Sequence, residues 1–302
     1  MSQSPTIAFV AAPKPFQGHT GIIQRNALRS WRALGENIEI VLGGTVDGLD
    51  LIGNEIGAIA IGELTSGTDG PPRVDELFSK ARGASSADLL AYINSDIILL
   101  PDWLQAVRTT AAALSEEFLI IGRRIDTDIS HEIDWHRPDT AALVASHARK
   151  QGRLAARVCK DYFVFPRDSY QHVPAFRLGR AFWDNWMVHD AHARRVPVVD
   201  VTAAATAVHQ NHDYGHVPGG RLAAYLTSDG ARGNRRLAGG SRMISGAVAS
   251  WRLDRLGKIR RRRLPFFVSF MLDVHRFVGL TADVVGLKAR RRPLRDVISP
   301  ED

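Results

Sequence analysis

Two apolar runs separated by a polar triplet constrain the fold of this chain more than any other feature. The runs are Leu89 to Ile93 and Ile97 to Leu100, and Asn94-Ser95-Asp96 stands between them. Continuous apolar runs of this length predict strands buried on both faces, as in a parallel sheet under helices. In open α/β sheets the ligand crevice lies outside the carboxyl ends of the strands. A carboxylate there could hold a divalent metal, and the metal a diphosphate; the alternative is that Asp96 only closes a turn.

Strand and helix patterns alternate along the first 129 residues, which predicts an α/β fold. Thr6 to Ala12 and Ile38 to Leu42 are apolar strands, and Ile22 to Leu34 between them has a helical apolar side. This is a βαβ unit and predicts a parallel pair. After the second strand, two glycines and Asp47 could approach a nucleotide and bind its ribose or base. A plain glycine turn is the alternative, since neither GxGxxG nor a Walker motif is present.

Charge is distributed unevenly along the 302 residues. The net charge is +7, and residues 251–302 carry all of it, with 13 Lys/Arg against 6 Asp/Glu. The rest of the chain is balanced, which argues against a broad nucleic-acid-binding face. The single cysteine, Cys159, excludes an internal disulfide and suggests a reducing compartment. With neither a signal-peptide pattern nor a long uncharged apolar window, we expect a cytoplasmic protein.

Four segments together resemble the family 2 glycosyltransferases with the GT-A nucleotide-sugar fold, over about residues 6–216. They are Tyr92 to Asp96, Phe118 to Arg124, Gly179 to Trp186, and Val208 to His212. The resemblance implies a mostly parallel central sheet flanked by helices, followed here by a C-terminal helical extension. It also implies a nucleotide-sugar donor and a divalent metal, Mn²⁺ or Mg²⁺.

The same resemblance assigns roles to single residues. Asn94-Ser95-Asp96 stands where such enzymes have a DXD-type motif, with Asp96 as the surviving carboxylate and metal ligand, and with Asn94 and Ser95 as candidate substrate-binding residues. His209, or alternatively His212, corresponds to a further metal ligand after a late strand. Asp184 corresponds to the catalytic base, and Asp47 to the acidic residue that contacts the nucleoside.

These residue types suit glycosyl transfer. A divalent ion stabilises the negative charge that develops on a departing nucleoside diphosphate, and one carboxylate with imidazole favours Mn²⁺. A carboxylate near the acceptor hydroxyl serves as general base, and one base opposite the leaving group implies inversion. Asp184 could instead be a helix N-cap, and His209 a strand-end histidine with a structural role.

Other candidate substrate-binding residues each have a structural alternative. Arg123 and Arg124 could bind the diphosphate or pair with nearby aspartates. Asp161 could line the acceptor site or pair with Lys160 or an arginine. Trp183 and Trp186 could stack on a sugar ring, although core packing is the commoner role of tryptophan.

We expect a catalytic domain at 1–216, divided near residue 129 into nucleotide-sugar and acceptor halves. A flexible loop region should follow at 217–250, and a basic amphipathic helical tail at 251–302. The tail has an apolar stripe from Phe267 to Val285 between Arg260–Arg263 and Arg290–Arg292. It could dock on the domain, bind a partner, or lie on the anionic inner face of a membrane.

The predicted function is therefore transfer of a sugar from a nucleotide sugar to a hydroxyl of a glycan or lipid-linked acceptor. No nucleic acid is expected as a partner. A non-catalytic nucleotide-sugar or glycan-binding protein is the alternative, and the incomplete DXD motif favours it slightly. A sugar-phosphate nucleotidyltransferase is a third class, and the lack of a Gly-rich basic loop after Ala12 counts against it.

Overall fold

The computed structural model describes residues 4–66, 71–114, 116–157, 159–212, 227–239 and 248–262. Thirteen strands lie within these ranges: β1 Ile7–Ala11, β2 Ile38–Leu42, β3 Ile59–Ala60, β4 Leu89–Ile93, β5 Ile97–Leu99, β6 Leu119–Ile121, β7 Ile125–Thr127, β8 Arg153–Leu154, β9 Tyr162–Pro166, β10 Val198–Asp200, β11 Ala207–Gln210, β12 Trp251–Leu253 and β13 Ile259–Arg261. The same ranges contain seven α-helices: α1 Gly18–Ala33, α2 Leu49–Ile56, α3 Val74–Ala84, α4 Pro101–Ala113, α5 Thr140–Gln151, α6 Trp183–Ala193 and α7 Asp229–Leu237.

Nine of these strands form one mostly parallel sheet, in the order β13-β12-β10-β6-β9-β4-β1-β2-β3. β1 pairs in parallel with β2 and β4, as the βαβ pattern predicted. β9 is antiparallel to both of its neighbours. The predicted α/β class with a mostly parallel sheet flanked by helices is confirmed.

The centre of the sheet is buried on both faces. Every residue of β1 and β4 is buried, which explains why these strands lack a polar alternation. On one face Phe9 packs edge-on against Trp31 of α1 and Trp103 of α4, at 5.9 and 5.5 Å between ring centroids. On the other face Phe78 of α3 lies in a second apolar cluster with residues of α6.

The second apolar run does not continue the main sheet. β5 belongs to a smaller sheet of order β5-β11-β7-β8, where it pairs antiparallel with β11. β4 already has β1 on one side and β9 on the other, so no position beside it is open. The turn at residues 94–96 therefore joins the two sheets.

The main sheet extends beyond the boundary predicted at residue 216. β12 pairs in parallel with β10, and β13 pairs with β12, so residues 251–261 form strands rather than the start of a helical tail. Leu253 is buried whereas Arg252 is exposed, a two-residue alternation typical of a strand. α7 lies in the predicted loop region, and the stripe Phe267–Val285 lies outside the described residues. Within the described ranges no helix has the length and apolar character needed to cross a membrane.

Candidate functional site

The junction between the two sheets brings Asp96 and two histidines together. Asp96 ends the turn after β4, and the Ile97 amide closes that turn on the Asn94 carbonyl at 3.1 Å. The antiparallel register pairs His209 of β11 with Ile97. His209 therefore lies beside Asp96, and His212 follows three residues later in the chain.

The three side chains form a donor set for a metal ion. His212 Nε2 and His209 Nε2 lie 3.2 and 3.6 Å from Asp96 Oδ2. One ligand atom from each residue lies within 4.8 Å of the other two. Asp96 Oδ1 is buried and has no hydrogen-bond partner among the described residues. Because buried carboxylate oxygens normally have partners, this unsatisfied oxygen fits a cation ligand. The two histidines that the sequence offered as alternatives are both at the site.

Asp126 lies next to the other ring nitrogen of His209, the one that does not face Asp96. His209 Nδ1 lies 3.1 Å from Asp126 Oδ1, although the contact does not have hydrogen-bond geometry; a carboxylate at this distance can fix the tautomer of a metal-binding imidazole. Burial lowers the pKa of His209, but the Asp96 and Asp126 carboxylates outweigh it and raise that pKa to about 9. Burial raises the pKa of Asp96, and the two histidines hold it well below its usual range. From the sequence, Asp126 was only one of the nearby aspartates with which Arg123 or Arg124 could pair.

Arg123, Arg124 and Asp161 have structural partners. Arg124 pairs with Asp161 and, at 2.7 Å, with Asp126, which matches the ion-pair alternative; diphosphate binding by the two arginines stays a prediction. Arg123 Nε donates to the Ala155 carbonyl at 2.6 Å. Burial is the largest effect on the pKa of Asp161 and raises it, against the opposing charge of Arg124. The pair of Arg124 with Asp161 thus links the small sheet to the start of β9.

Asn94 and Ser95 hold the turn. Asn94 accepts a hydrogen bond from Tyr92 Oη at 2.7 Å and donates to Asp161 Oδ1 at 2.8 Å. Ser95 Oγ donates to Gln24 Oε1 at 2.9 Å. Their side chains are thus engaged within the protein, which makes them supports of Asp96 rather than direct substrate contacts in this structure.

Asp184 is the second chemically distinctive group. It lies in the first turn of α6, and its Oδ1 is buried without a partner among the described residues. Burial raises the pKa of this carboxyl to about 6, although the Asn185 amide and the Lys160 charge act in the opposite direction. No side-chain cap bond is found at the start of α6. A carboxylate that is ionised at neutral pH and retains an unoccupied acceptor suits a general base.

Tyr92 connects the metal and Asp184 halves of the site. Its ring meets Trp183 edge-on at 4.9 Å between centroids, and its hydroxyl bonds to Asn94. The charges of Asp96, Asp161 and Asp184 all act on the Tyr92 hydroxyl and, with burial as the largest effect, raise its pKa. Trp183 itself is buried in the core, which matches the core-packing alternative; its stacking on a sugar ring stays a prediction. Trp186 is half-buried and packs on Phe176 at 5.4 Å.

Asp47 lies in the loop after β2, as predicted, and is exposed. It accepts a hydrogen bond from Gln17 Nε2 at 3.2 Å, and its carbonyl accepts one from the Phe16 amide at 2.9 Å. The loops after β1 and β2 are therefore joined at the carboxyl edge of the sheet. Gly44 has a φ of 113° there, a conformation that side chains rarely adopt.

Three cations near the site were not singled out from the sequence. In the loop after β1, burial is the largest effect on the pKa of Lys14 and lowers it. The charge of Asp96 raises this pKa and the charge of Arg180 lowers it. Burial lowers the pKa of Lys160 to about 8, while the charge of Asp184 acts to raise it. Single basic residues in loops give no periodic signal, so only the fold could bring them to the site. A large groove lined by Leu89, Pro166 and Tyr170 lies at the other end of β4, away from Asp96.

Comparisons with known proteins add the following. No family model and no curated protein matches the sequence. A solved structure of glucosyl-3-phosphoglycerate synthase from Mycobacterium tuberculosis, with Mg²⁺ and uridine diphosphate, has 15% identity and a TM-score of 0.46. The match covers 78% of this chain and 80% of that one. A mannosyltransferase from Pyrobaculum calidifontis, with GDP-Man and Mn²⁺, has 12% identity and a TM-score of 0.43, covering 71% of this chain and 59% of that one.

The two matched structures have identities of at most 15% and TM-scores below 0.5. A function for this chain therefore has to be inferred from the geometry of the site.

Proposed function

We propose that this chain is a metal-dependent glycosyltransferase that moves a sugar from a nucleoside-diphosphate sugar to a hydroxyl acceptor with inversion. One observation carries the proposal. An Asp/His/His donor set with a buried, unsatisfied carboxylate oxygen lies at the carboxyl edge of the sheet, and a second carboxylate with a buried, unsatisfied oxygen, that of Asp184, acts with Asp96 on the same hydroxyl, that of Tyr92. Two carboxyl groups held in different environments are suited to two different tasks.

Asp96, His209 and His212 would hold the metal ion, with Asp126 orienting His209. A carboxylate with two imidazoles favours Mn²⁺ over Mg²⁺. When bound, the ion supplies Lewis-acid stabilisation of the charge that develops on the departing diphosphate. Lys14 and Arg180 add positive charge near Asp96, where the phosphates of the donor would lie.

Asp184 would take the proton. The acceptor oxygen forms a bond to the anomeric carbon while the bond from that carbon to the β-phosphate oxygen breaks. The bonding pair leaves with the nucleoside diphosphate, and the hydroxyl proton passes to the Asp184 carboxylate. Because its pKa is about 6, this group is ionised at neutral pH yet basic enough to accept a proton. Attack from the side opposite the leaving group inverts the anomeric configuration.

The test is a thermal-shift panel of UDP- and GDP-sugars and the free nucleoside diphosphates, with and without Mn²⁺. It is followed by an assay of nucleoside diphosphate release with glycan and lipid-linked acceptors. We expect a Mn²⁺-dependent shift with one nucleotide and release that depends on acceptor. Binding without release from any donor would favour the non-catalytic alternative. The absence of both would overturn the proposal.

The acceptor class and the anionic membrane surface remain predictions from the sequence. Residues 263–302, on which the membrane prediction depends, lie outside the described ranges. Sedimentation with anionic and neutral vesicles tests that prediction directly, since basic residues contribute roughly 1 kcal/mol each near an anionic surface.

A further inference from the structure

One buried side chain fastens the loop that precedes Asp184. Asn234, on α7, is only 1% exposed. Its Oδ1 accepts a hydrogen bond from the Arg177 amide at 2.7 Å, and its Nδ2 donates to the carbonyls of Arg177 and Ala181 at 2.9 and 3.1 Å. The Arg180 carbonyl lies 3.5 Å from the same nitrogen. A single amide therefore joins both ends of the 177–181 loop to a helix more than fifty residues further along the chain.

The backbone that follows this loop is strained. Phe182 has φ 85° and ψ −34°, a conformation that costs a residue other than glycine roughly 1–3 kcal/mol and persists only where the surroundings impose it. α6 begins at the next residue, and Asp184 lies in its first turn. The position of the 177–181 loop consequently sets where α6 starts and where Asp184 lies.

The loop also carries Arg180, whose charge is not balanced by a carboxylate among the described residues. Among the described residues its buried Nε has no partner, and the one hydrogen bond of its guanidinium goes to the Gly179 carbonyl, at 3.2 Å. A methyl group at Gly230 of α7 would lie 3.3 Å from Arg180 Cγ, so the helix packs closely under this side chain. Arg180 is only partly buried, and a guanidinium with no counter-charge among the described residues is suited to bind an anionic group of a substrate.

We infer that Asn234 is a positioning residue, which holds the 177–181 loop so that Asp184 and Arg180 face the metal centre. The inference rests on the proposed glycosyl transfer. It adds a role for α7, a helix to which the resemblance assigned none. Asn234 touches neither the donor set nor Asp184, so its effect on the reaction would be transmitted through the backbone of the loop.

The test compares Asn234→Ala and the near-isosteric Asn234→Asp with Ser228→Ala in the full chain. Ser228 caps α7 by accepting a hydrogen bond from the Ala231 amide at 3.3 Å, so its loss weakens the same helix without touching the loop. Hydrogen exchange should rise at amides 177–182 in both Asn234 variants. In Ser228→Ala it should rise in 229–237 and change little in the loop. Asn234→Asp also retains an acceptor for the Arg177 amide, and keeps the test informative if the alanine variant fails to fold.

Turnover provides the second readout. Misplacing a catalytic group by about 1 Å can cost about 10²-fold in rate, so kcat in the Asn234 variants should fall about 10²-fold. Their Mn²⁺-dependent affinity for the nucleoside diphosphate should be unchanged, and Ser228→Ala should keep near wild-type turnover. Unchanged exchange in the loop, or raised exchange with unchanged kcat, would overturn the inference. Equal losses of kcat in all three variants would also overturn it, because they would indicate a general loss of stability. If the wild-type chain itself releases no nucleoside diphosphate, the proposed function fails instead, while the exchange data still decide whether Asn234 holds the loop.

Discussion

The two halves of the candidate site are built by different means. Asp96 and His209 lie at the ends of paired strands, where the register between β5 and β11 fixes their separation. Asp184 follows a loop whose geometry depends on Asn234 and on a strained Phe182. Many backbone hydrogen bonds between paired strands position the metal ligands, whereas a single side chain, that of Asn234, holds the loop that leads to Asp184. Mobile parts of a binding site are drawn from the less stable elements of a fold, so we expect the Asp184 half to respond to substrate and the metal half to stay fixed.

The largest effect is expected from breaking the Asp184 half alone. Asp184→Asn keeps the size of the side chain but removes the base, so turnover should fall by about 10²- to 10⁴-fold. Mn²⁺-dependent nucleotide binding should persist, because the donor set is untouched. Asp190→Asn on the same helix is the matched control, since Asp190 pairs with Arg194 on α6. The measurement is the rate of nucleoside diphosphate release; near wild-type release from Asp184→Asn would place the base elsewhere.

Breaking the metal half should remove binding as well as turnover. Asp96→Ala deletes the only carboxylate of the donor set, so the rise in melting temperature with Mn²⁺ and a nucleoside diphosphate should disappear. Asp88→Ala is the control at the opposite end of β4, where Asp88 bonds to Thr6 at 2.8 Å. It should keep the metal-dependent shift. A full shift in Asp96→Ala would show that the cluster is not the metal site.

A finer change weakens the metal half without removing a ligand. Asp126→Asn preserves the shape of the side chain but replaces the carboxylate behind His209. Loss of such a supporting group typically lowers metal affinity by about 10- to 100-fold. Isothermal titration calorimetry with Mn²⁺ measures the change in metal affinity. An affinity equal to that of the wild type would mean that the 3.1 Å contact does not orient His209.

The smallest expected effect is on the free energy of unfolding, and it also concerns the Asp184 half of the site. The folded pKa of Asp184 is about 6, above its ordinary value, so folding favours the protonated carboxyl. The contribution of Asp184 to the free energy of unfolding should therefore decrease as the pH rises from about 4 to about 6, and stay level above that. Asp184→Asn lacks this loss and should be more stable than the wild type above pH 6, by about 1–2 kcal/mol after allowance for partial solvent screening. Denaturant unfolding at pH 4 and pH 8 measures it, and an equal difference at both values would contradict the titration of Asp184.

The sequence predicted those features of the site that local pattern determines. The apolar runs around Asp96 identified the turn, and the order of motifs placed Asp184 at the start of a helix. The smaller sheet was not predicted, because the pairing of β5 with β11 joins segments far apart in sequence and leaves no local periodicity. Trp183 was ambiguous for a similar reason: only the packing against Tyr92 distinguishes a core ring from a sugar-stacking one.

Asn234 could not have been found from sequence. Its partners are backbone groups of a loop 57 residues earlier at the Arg177 contact, and backbone groups are present whatever the side chains are. The ion pair of Arg124 with Asp161 is a partial exception. The opposite charges are apparent from the sequence, and an ion pair of Asp161 with an arginine was among the predicted alternatives. The sequence did not show which arginine would form it.

The distance along the chain between the metal ligands also bears on how the protein folds. His212 lies 116 residues after Asp96, whereas the first parallel strands are separated by a single helix. Closing so long a loop has an entropic cost that must be met before the contacts at its ends form. The β1–β2 unit can assemble early, but the cation site exists only once β11 has docked on β5. Mn²⁺ would then bind late during refolding, so its uptake would report the joining of the two sheets rather than the collapse of the core.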